Sequence, residues 1–247
     1  MERTYVEWVE RQVWTNQASG EHFWGDLQFN WRTSFADSTR ESPNNLDTQY
    51  EVYEDGTRYF GNRKDKFRLK FFDLQDSVID IGADIKYFII AGDVSMDFKA
   101  GVSYYYKERD NQISNFEFAP SPTATTLFDE TFRTQPLTEI FAEQNISPDT
   151  WEVNEISGAA DYYDADSEIL AFYAGIDGQF TDSLRLSIGF RYEDSDINVS
   201  NFNKYTKVEN DRSDLALDKV LPAITLTQTL DNNCLLYTSP SPRDLST

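Results

Sequence analysis

The sequence predicts an all-β fold: an antiparallel segment of a transmembrane β-barrel, with about seven strands, short turns at one end and long loops at the other. Three observations support this prediction. Side-chain polarity alternates with a period of two, very short connections join the alternating stretches in pairs, and long polar segments separate the pairs. In such a barrel the short turns are periplasmic and the long loops extracellular.

The composition disfavours several other classes of protein. The 247 residues include 22 Lys and Arg against 43 Asp and Glu, and the net charge of −21 argues against nucleic-acid binding. The longest uncharged apolar run, Tyr87–Gly92, is far shorter than the roughly 20 residues of a spanning helix. A single Cys excludes a disulfide scaffold, and 15% aromatic residues argue against disorder. The first residues, Met1–Trp8, show no secretory signal.

Alternation is clearest in two predicted strands. From Val94 to Tyr106 the even positions are apolar and the odd positions mostly polar or small, and Leu184–Tyr192 repeats the pattern. Because successive side chains of a strand point to opposite faces, one face is apolar and the other polar. The positions predicted to face lipid are Val94, Met96, Phe98, Val102, Leu184, Leu186, Ile188 and Phe190.

Short connections join the predicted strands into three hairpins and leave a seventh strand, Lys219–Leu230. Residues 23–26, 91–93 and 180–183 form the connections, where Gly and Asp tolerate the backbone of tight turns. The paired strands are Thr4–His22 with Leu27–Asp37, Ser77–Ile90 with Val94–Glu108, and Ser167–Gln179 with Leu184–Val199. The predicted long loops are Ser38–Asp76, Arg109–Asp166 and Ser200–Asp218.

Amphipathic strands also fit a soluble sheet with scattered aromatic residues. The positions of charged and aromatic residues must therefore distinguish that sheet from a barrel whose apolar face meets lipid. Charged side chains keep to the polar parity, where a barrel wall faces water. Aromatic residues gather at both ends of the strands, as in the girdles of membrane barrels. The predicted girdle comprises Trp24, Phe88 and Phe180 near the turns and Tyr104, Tyr106 and Tyr192 near the loops.

Motifs for catalysis, nucleotide binding and metal binding are missing from the sequence, so we expect no enzyme activity, no cofactor and no metal site. The chain lacks G-x-G-x-x-G, G-x-x-x-x-G-K-[ST] and H-E-x-x-H. Its one His, His22, lies beside a predicted turn, and nothing places a Ser and an acid next to it. The acids between Asp161 and Glu168 lack the Gly and terminal Glu of a calcium loop, so we expect a solvated loop there.

The segment from Asp110 to Glu168 is strongly acidic, with thirteen Asp and Glu against one base, Arg133. Such a loop repels anionic ligands and attracts cations, which favours a neutral, oligosaccharide-like ligand or a cationic one over an anionic chelate. Three aromatic residues of this loop could stack on sugar rings. Contact with lipopolysaccharide bridged by divalent cations is the alternative. The aromatic ligand candidates are Trp151, Tyr162 and Tyr163.

Four stretches resemble the barrel of TonB-dependent receptors, the outer-membrane active transporters of Gram-negative bacteria: residues 98–110, 163–174, 184–193 and 221–226. The resemblance implies a bacterial outer-membrane location, with membrane lipid and lipopolysaccharide as surroundings. It also implies uptake of a scarce small molecule or oligosaccharide by rearrangement of an N-terminal plug that contacts TonB. Neither the plug nor the TonB-contacting segment is found in this sequence. The lumen-facing candidates for contact with plug or substrate are Arg32, Asp97, Lys99, Arg185 and Arg191. The alternative, which the residue types favour, is that these side chains fill and hydrate the wall.

Two other functions fit the same strands. A passive outer-membrane barrel of the porin type would show the same alternation, and a secreted, carbohydrate-binding β-sandwich would bury its apolar face under a second sheet.

The end of the chain is compositionally unlike the rest. Residues Cys234–Asp244 resemble the translation of a sequencing-library adapter, and the whole segment 234–247 is therefore expected to be non-native. Residues 1–233 then form a partial barrel, cut near Asn233.

Overall fold

The computed structural model describes residues 1–61, 66–92, 94–121, 130–147, 149–206, 208–230 and 234–238. These residues form one antiparallel sheet of eleven strands. The strands are β1 (Glu2–Val6), β2 (Glu10–Trp24), β3 (Leu27–Val52), β4 (Arg58–Phe60), β5 (Phe67–Ala91), β6 (Val94–Pro120), β7 (Trp151–Glu155), β8 (Tyr162–Thr181), β9 (Leu184–Phe202), β10 (Glu209–Leu230) and β11 (Cys234–Thr238).

Seven of these strands are long and lie side by side in chain order, as the sequence predicts. The order across the sheet is β2, β3, β5, β6, β8, β9, β10 and β11, with β1 continuing the edge occupied by β2. Two-residue turns close the three predicted hairpins, and Gly25 and Gly92 adopt φ of 62° and 66° in two of them. Positive φ is strained for most side chains, so glycine is the residue that suits these turns. We call this end of the sheet the turn end and the opposite end the loop end.

The register aligns apolar residues into one continuous face, here called the apolar face. One row across six strands consists of Leu27, Tyr87, Phe98, Ile176, Ile188 and Ile224. The opposite side, the polar face, carries the alternate residues, such as Asp97, its register partner Asp177, and Ser187, which pairs with Asp177. All eight residues predicted to face lipid lie on the apolar face by this register.

The apolar face is not covered by a second layer. Phe98 is 37% exposed, Ile176 44% and Ile188 51%. Among the described residues all strands belong to the same sheet, so a two-layer sandwich is not formed there. These are side chains that a soluble protein would bury, because each would gain about 1.5–3 kcal/mol from removal from water.

The predicted long loops are much shorter than expected, because the strands continue into them. The sequence places residues 38–52, 67–76 and 109–120 in loops, whereas β3, β5 and β6 include them. Residues 203–208 are what remains between β9 and β10. Backbone hydrogen bonds within a hairpin extend a strand wherever its neighbour also extends, whatever the side-chain pattern.

The longest connection, between β6 and β8, contains the helical part of the fold. It includes α1 (Glu130–Arg133), α2 (Leu137–Ile140) and two 3₁₀ turns at Glu143–Asn145 and Ala159–Asp161. No helix in the described residues is long and apolar enough to cross a membrane.

This connection packs against the sheet through the main hydrophobic cluster of the protein. Phe141 stacks on Phe67 of β5 with ring centroids 4.1 Å apart, and it also contacts Phe60, Phe118 and Trp151 at 5.0–5.3 Å. The exposed fractions of Phe60 and Trp151 are 1% and 2%. The core therefore lies at the loop end, while the middle of the sheet has none.

Candidate ligand-facing surface

The five charged candidates share the polar face, and each has an oppositely charged neighbour there. The pairs are Arg32 with Asp84 at 3.1 Å and Asp80 at 3.6 Å, Asp97 with Lys86 at 3.1 Å, Lys99 with Asp177 at 3.5 Å, Arg185 with Asp177 at 2.7 Å, and Arg191 with Glu193 at 2.5 Å. The acidic partners and Lys86 were not among the sequence candidates, although their parity along β5, β8 and β9 would have identified them.

Glycines on this face leave room for side chains that reach across strands. A Cβ on Gly101 would overlap the carboxylate of Asp84 and the ring of Tyr173. Without it, the hydroxyl of Tyr173 donates a hydrogen bond of 2.6 Å to Asp84, which also binds Arg32. These three side chains thereby link β3, β5 and β8 across the face.

A hollow of about 360 Å³ opens beside this network. Gly175 and Gly189, which are register partners on β8 and β9, form its floor because neither has a side chain to fill it. Lys99, Asp177 and Arg191 lie around it. Two cations and one anion make this lining positive, although the whole chain is acidic. The hollow presents both hydrogen-bond donors and acceptors, so it can hold a polar ligand or a polar side chain.

A second charged group lies on the polar face toward the loop end. Asp76 of β5 accepts hydrogen bonds of 2.6 and 2.8 Å from the guanidinium of Arg109, and Lys107 is 3.2 Å away. The hydrogen bonds from Arg109 exceed the effect of partial burial and, with Lys107, hold the pKa of Asp76 below its usual value. Sequence reasoning did not single out these residues, because it placed Arg109 at the start of a predicted loop.

The girdle candidates divide between the faces. Trp24, Tyr104, Tyr106 and Tyr192 lie on the apolar face by register, and Phe180 lines an apolar groove there. Phe88 is the register partner of Asp97 and therefore lies on the polar face. The sequence pattern was misleading at this position because Phe88 interrupts the alternation of β5 near its turn.

The aromatic residues of the acidic segment are less accessible than expected. Trp151 packs in the loop-end cluster, and Tyr162 is only 6% exposed. Their burial leaves little ring surface for a sugar, which corrects the expectation that they form a stacking platform. Tyr163 is half-buried and belongs to the polar face, where it pairs with Asn111.

The acidic residues lie largely above the apolar face rather than over the polar one. Beyond the tyrosines, the apolar face continues into carboxylates, and the register places several next to one another. Glu108 pairs with Asp166, Glu168 with Asp196, and Asp194 with Asp218. The polar face becomes apolar at this level. The residues that lie on it there are Ile169, Ile197, Leu215 and Leu217.

The comparisons with known proteins concern the fold. No protein-family model and no curated protein sequence matches the chain. Among solved structures, it is similar to the siderophore receptor PiuA from Acinetobacter baumannii, with a TM-score of 0.58 and 11% identity over 94% of this chain and 32% of that one. The fold is that of a β-barrel segment.

Two further solved structures are similar to this chain to nearly the same degree. The ferric citrate transporter FecA, in its unliganded form, gives a TM-score of 0.56 at 13% identity, over 94% of this chain and 27% of that one. The ferric-catecholate import receptor Fiu from E. coli K12, in its closed form, gives 0.57 at 12% identity, over 94% of this chain and 33% of that one. The chain thus spans about a third of the length of these proteins.

Proposed function

We propose that this chain is part of the barrel of an outer-membrane TonB-dependent receptor that takes up a scarce nutrient, such as an oligosaccharide or a metal chelate. The similar structures are receptors and transporters for siderophores and ferric chelates, which supports the receptor barrel and leaves the substrate as a proposal. TonB would act through an N-terminal plug, as the sequence resemblance implies.

The observation that carries the proposal is the slanted upper edge of the apolar face. Toward the loop end, the unbroken apolar run of this face stops before the first polar residue at Ile79 on β5 and Tyr106 on β6, which are register partners, and at Tyr192 on β9 and Val220 on β10, which are also register partners. The register places Tyr192 level with Val102 on β6. The edge therefore drops by four residues from β5 to β10, from 106 to 102. With about 3.3 Å per residue and about 4.8 Å between strands, this corresponds to a tilt of about 35°. Strands of membrane barrels cross the bilayer at roughly 35–45°.

The height of the band also fits a bilayer. From Leu184 to Tyr192, strand β9 rises about 26 Å, or about 20 Å perpendicular to a bilayer after tilting. Strands of 25 to 27 residues, such as β3, β5 and β6, exceed the roughly 9–11 residues that cross the membrane. Their upper halves would then project on the extracellular side.

We also propose lipopolysaccharide as a partner of the projecting part. Paired carboxylates directly above the tyrosines would repel one another in water. Placed at the level of phosphate-bearing headgroups, they could be bridged to those phosphates by divalent cations.

The polar face supplies the candidate route for substrate. The glycine-floored hollow and the charge pairs of Arg32, Lys99 and Arg191 would face either the plug or the ligand.

For residues 234–247 we propose a non-native, adapter-derived tail, of which Cys234–Thr238 extends the sheet as β11.

Spin labels test the membrane placement directly. In a Cys234→Ser background, single cysteines at positions 186 to 190 carry nitroxide labels in the full chain reconstituted in phosphatidylcholine vesicles. We expect positions 186, 188 and 190 to be relaxed mainly by oxygen, which concentrates in lipid, and positions 187 and 189 by a water-soluble nickel complex.

The other outcomes contradict the proposal in recognisable ways. A soluble sandwich would shield the even positions from both reagents, and an unfolded chain would show no period of two.

To separate a TonB-dependent receptor from a passive porin, the longer reading frame that contains this sequence can be recovered, and a plug-coding region on its N-terminal side is expected.

A further inference from the structure

A second hollow, of about 300 Å³, lies at the loop end, away from the polar-face hollow described above. The turn between β9 and β10 forms one side of it and the segment that leads into β8 forms the other. The residues that matter for the argument are Glu155, Asn203, Lys204, Tyr205 and Asn210.

Lys204 holds the two sides together. Its ammonium donates hydrogen bonds to Ser114 at 2.7 Å and to Glu155 at 3.0 Å. It also lies 5.2 Å from the ring centroid of Tyr162 and 5.8 Å from that of Tyr205. Such cation–π contacts are favourable within about 6 Å. Several contacts of the Lys204 ammonium therefore connect the two sides of the hollow.

The charges of the hollow balance. Burial opposes ionisation of both groups, but their mutual hydrogen bond helps to hold the pKa of Glu155 below and that of Lys204 above the usual values. Both stay charged at neutral pH, and among the described residues that line the hollow they are the only ones with a charge. The rest of the loop end is strongly acidic, so this neutral hollow is an exception that suits an uncharged ligand.

Tyr205 gives the hollow an exposed aromatic wall. Its side chain is 75% exposed although it is large and partly apolar. The side-chain oxygen of Asn203 accepts hydrogen bonds of 3.0 Å from the backbone N–H groups of Tyr205 and Thr206, which fixes the turn that presents the ring. A rigid, exposed tyrosine loses little conformational entropy when a flat ligand covers it.

We propose that this hollow binds a neutral hexose unit, with the pyranose ring stacked on Tyr205. The C–H face of a pyranose is apolar and fits an aromatic ring, while its edge carries hydroxyls that both donate and accept hydrogen bonds. Glu155 accepts, Lys204 donates, and the amide of Asn210 can do both. A volume of about 300 Å³ is at the lower end for ligand sites and accommodates a single sugar ring rather than a long chain.

This site is separate from the uptake route proposed above and does not depend on it. The sugar could belong to a free oligosaccharide or to the core of lipopolysaccharide, since both present neutral hexoses. The chemistry of recognition is the same in both cases, so the experiment must distinguish the source.

Saturation-transfer NMR on the full chain in detergent micelles provides the test. One arm uses glucose, galactose and mannose and their disaccharides, and the other uses delipidated core oligosaccharide from lipopolysaccharide. Tyr205→Ala should weaken binding at least tenfold, whereas Tyr205→Phe, which keeps the ring, should stay within about twofold. Tyr53→Ala removes a similarly exposed tyrosine, 53% exposed, from another loop and should have no effect.

Each outcome decides the proposal. Binding in either arm that depends on Tyr205 supports the site, and the arm in which it occurs names the source of the sugar. Absence of binding in both arms overturns it, as does binding that Tyr205→Ala leaves unchanged. The spin-label pattern can be measured on the same variants, so a failure of membrane insertion is distinguished from a failure of sugar binding.

Discussion

At the scale of single residues, small side chains on the polar face matter as much as charged ones. Gly101 allows Tyr173 to reach Asp84, and Gly82 leaves the space that the guanidinium of Arg32 occupies. An alanine at either position would meet a neighbouring side chain rather than open space. The cross-strand network thus depends on residues that carry no functional group.

Gly101→Ala should therefore break the hydrogen bond between Tyr173 and Asp84. We expect a loss of about 1–2 kcal/mol in the free energy of unfolding, measured by urea titration of the vesicle-inserted chain. Tyr173→Phe removes the same hydrogen bond, so the double variant should lose little more than Gly101→Ala alone, whose methyl group also meets the carbonyl oxygen of Ala83 at 2.9 Å. Gly158→Ala is the control, because its new methyl group would meet only Asp161, at 3.7 Å. Additive losses in the double variant would show that the hydrogen bond is not the cause.

Individual residues also show the limits of sequence reasoning. Alternation correctly predicts the faces of Arg32, Asp97, Lys99, Arg185 and Arg191, because parity along a strand is a local property. It cannot give their partners, since the distance between Arg32 and Asp84 depends on which strands are neighbours and on their register. The prediction that Trp151 is accessible was wrong for a similar reason: Phe60 and Phe67, which are distant in the chain, pack in the same cluster as its ring.

At the scale of elements, the strands are longer than the sequence suggests, and a helical connection covers part of their upper end. The alternation that reveals a strand ends where the apolar face becomes acidic, although the hairpins continue. The hydrophobic cluster around Phe141 then anchors the connection between β6 and β8 to β5.

Phe141→Ala should release this connection from the sheet. Phe141 is partly buried, so its truncation should cost less than the roughly 3–5 kcal/mol that is typical of a fully buried phenylalanine. Arg133 is the only Lys or Arg between residues 110 and 168, and in the structure it donates hydrogen bonds to the carbonyl of Phe60 at 2.7 Å and to Glu51 at 3.2 Å. Cleavage by trypsin after Arg133 should therefore become at least tenfold faster in the variant.

The matched control is Phe71→Ala, which removes a ring of β5 that is 40% exposed and lies outside the cluster. Its cleavage rate should remain close to that of the unmodified chain. Equal rates in the two variants would show that the cluster does not anchor the connection.

At the scale of the whole molecule, the stability of the sheet depends on the surroundings of its two faces. A single sheet with an exposed apolar face is unstable in water, and the described strands offer no second layer to cover it. The slanted edge of that face could not be read from the sequence, because it appears only when the register aligns Tyr106 and Tyr192 on their separate strands. The number and order of the long strands, in contrast, follow from alternation and turns alone.

A pair of lysine substitutions tests this property of the whole sheet. Ile188→Lys places a charge in the middle of the apolar face, where it should cost about 2–4 kcal/mol in a bilayer. The fraction of chain inserted into phosphatidylcholine vesicles, measured by flotation at limiting lipid, should fall at least tenfold. Ser187→Lys places the same charge one residue away on the polar face, beside the glycine-floored hollow, and insertion should be unchanged. Equal insertion of the two variants would mean that the two faces do not meet different solvents, and the barrel would then be the wrong description of this sheet.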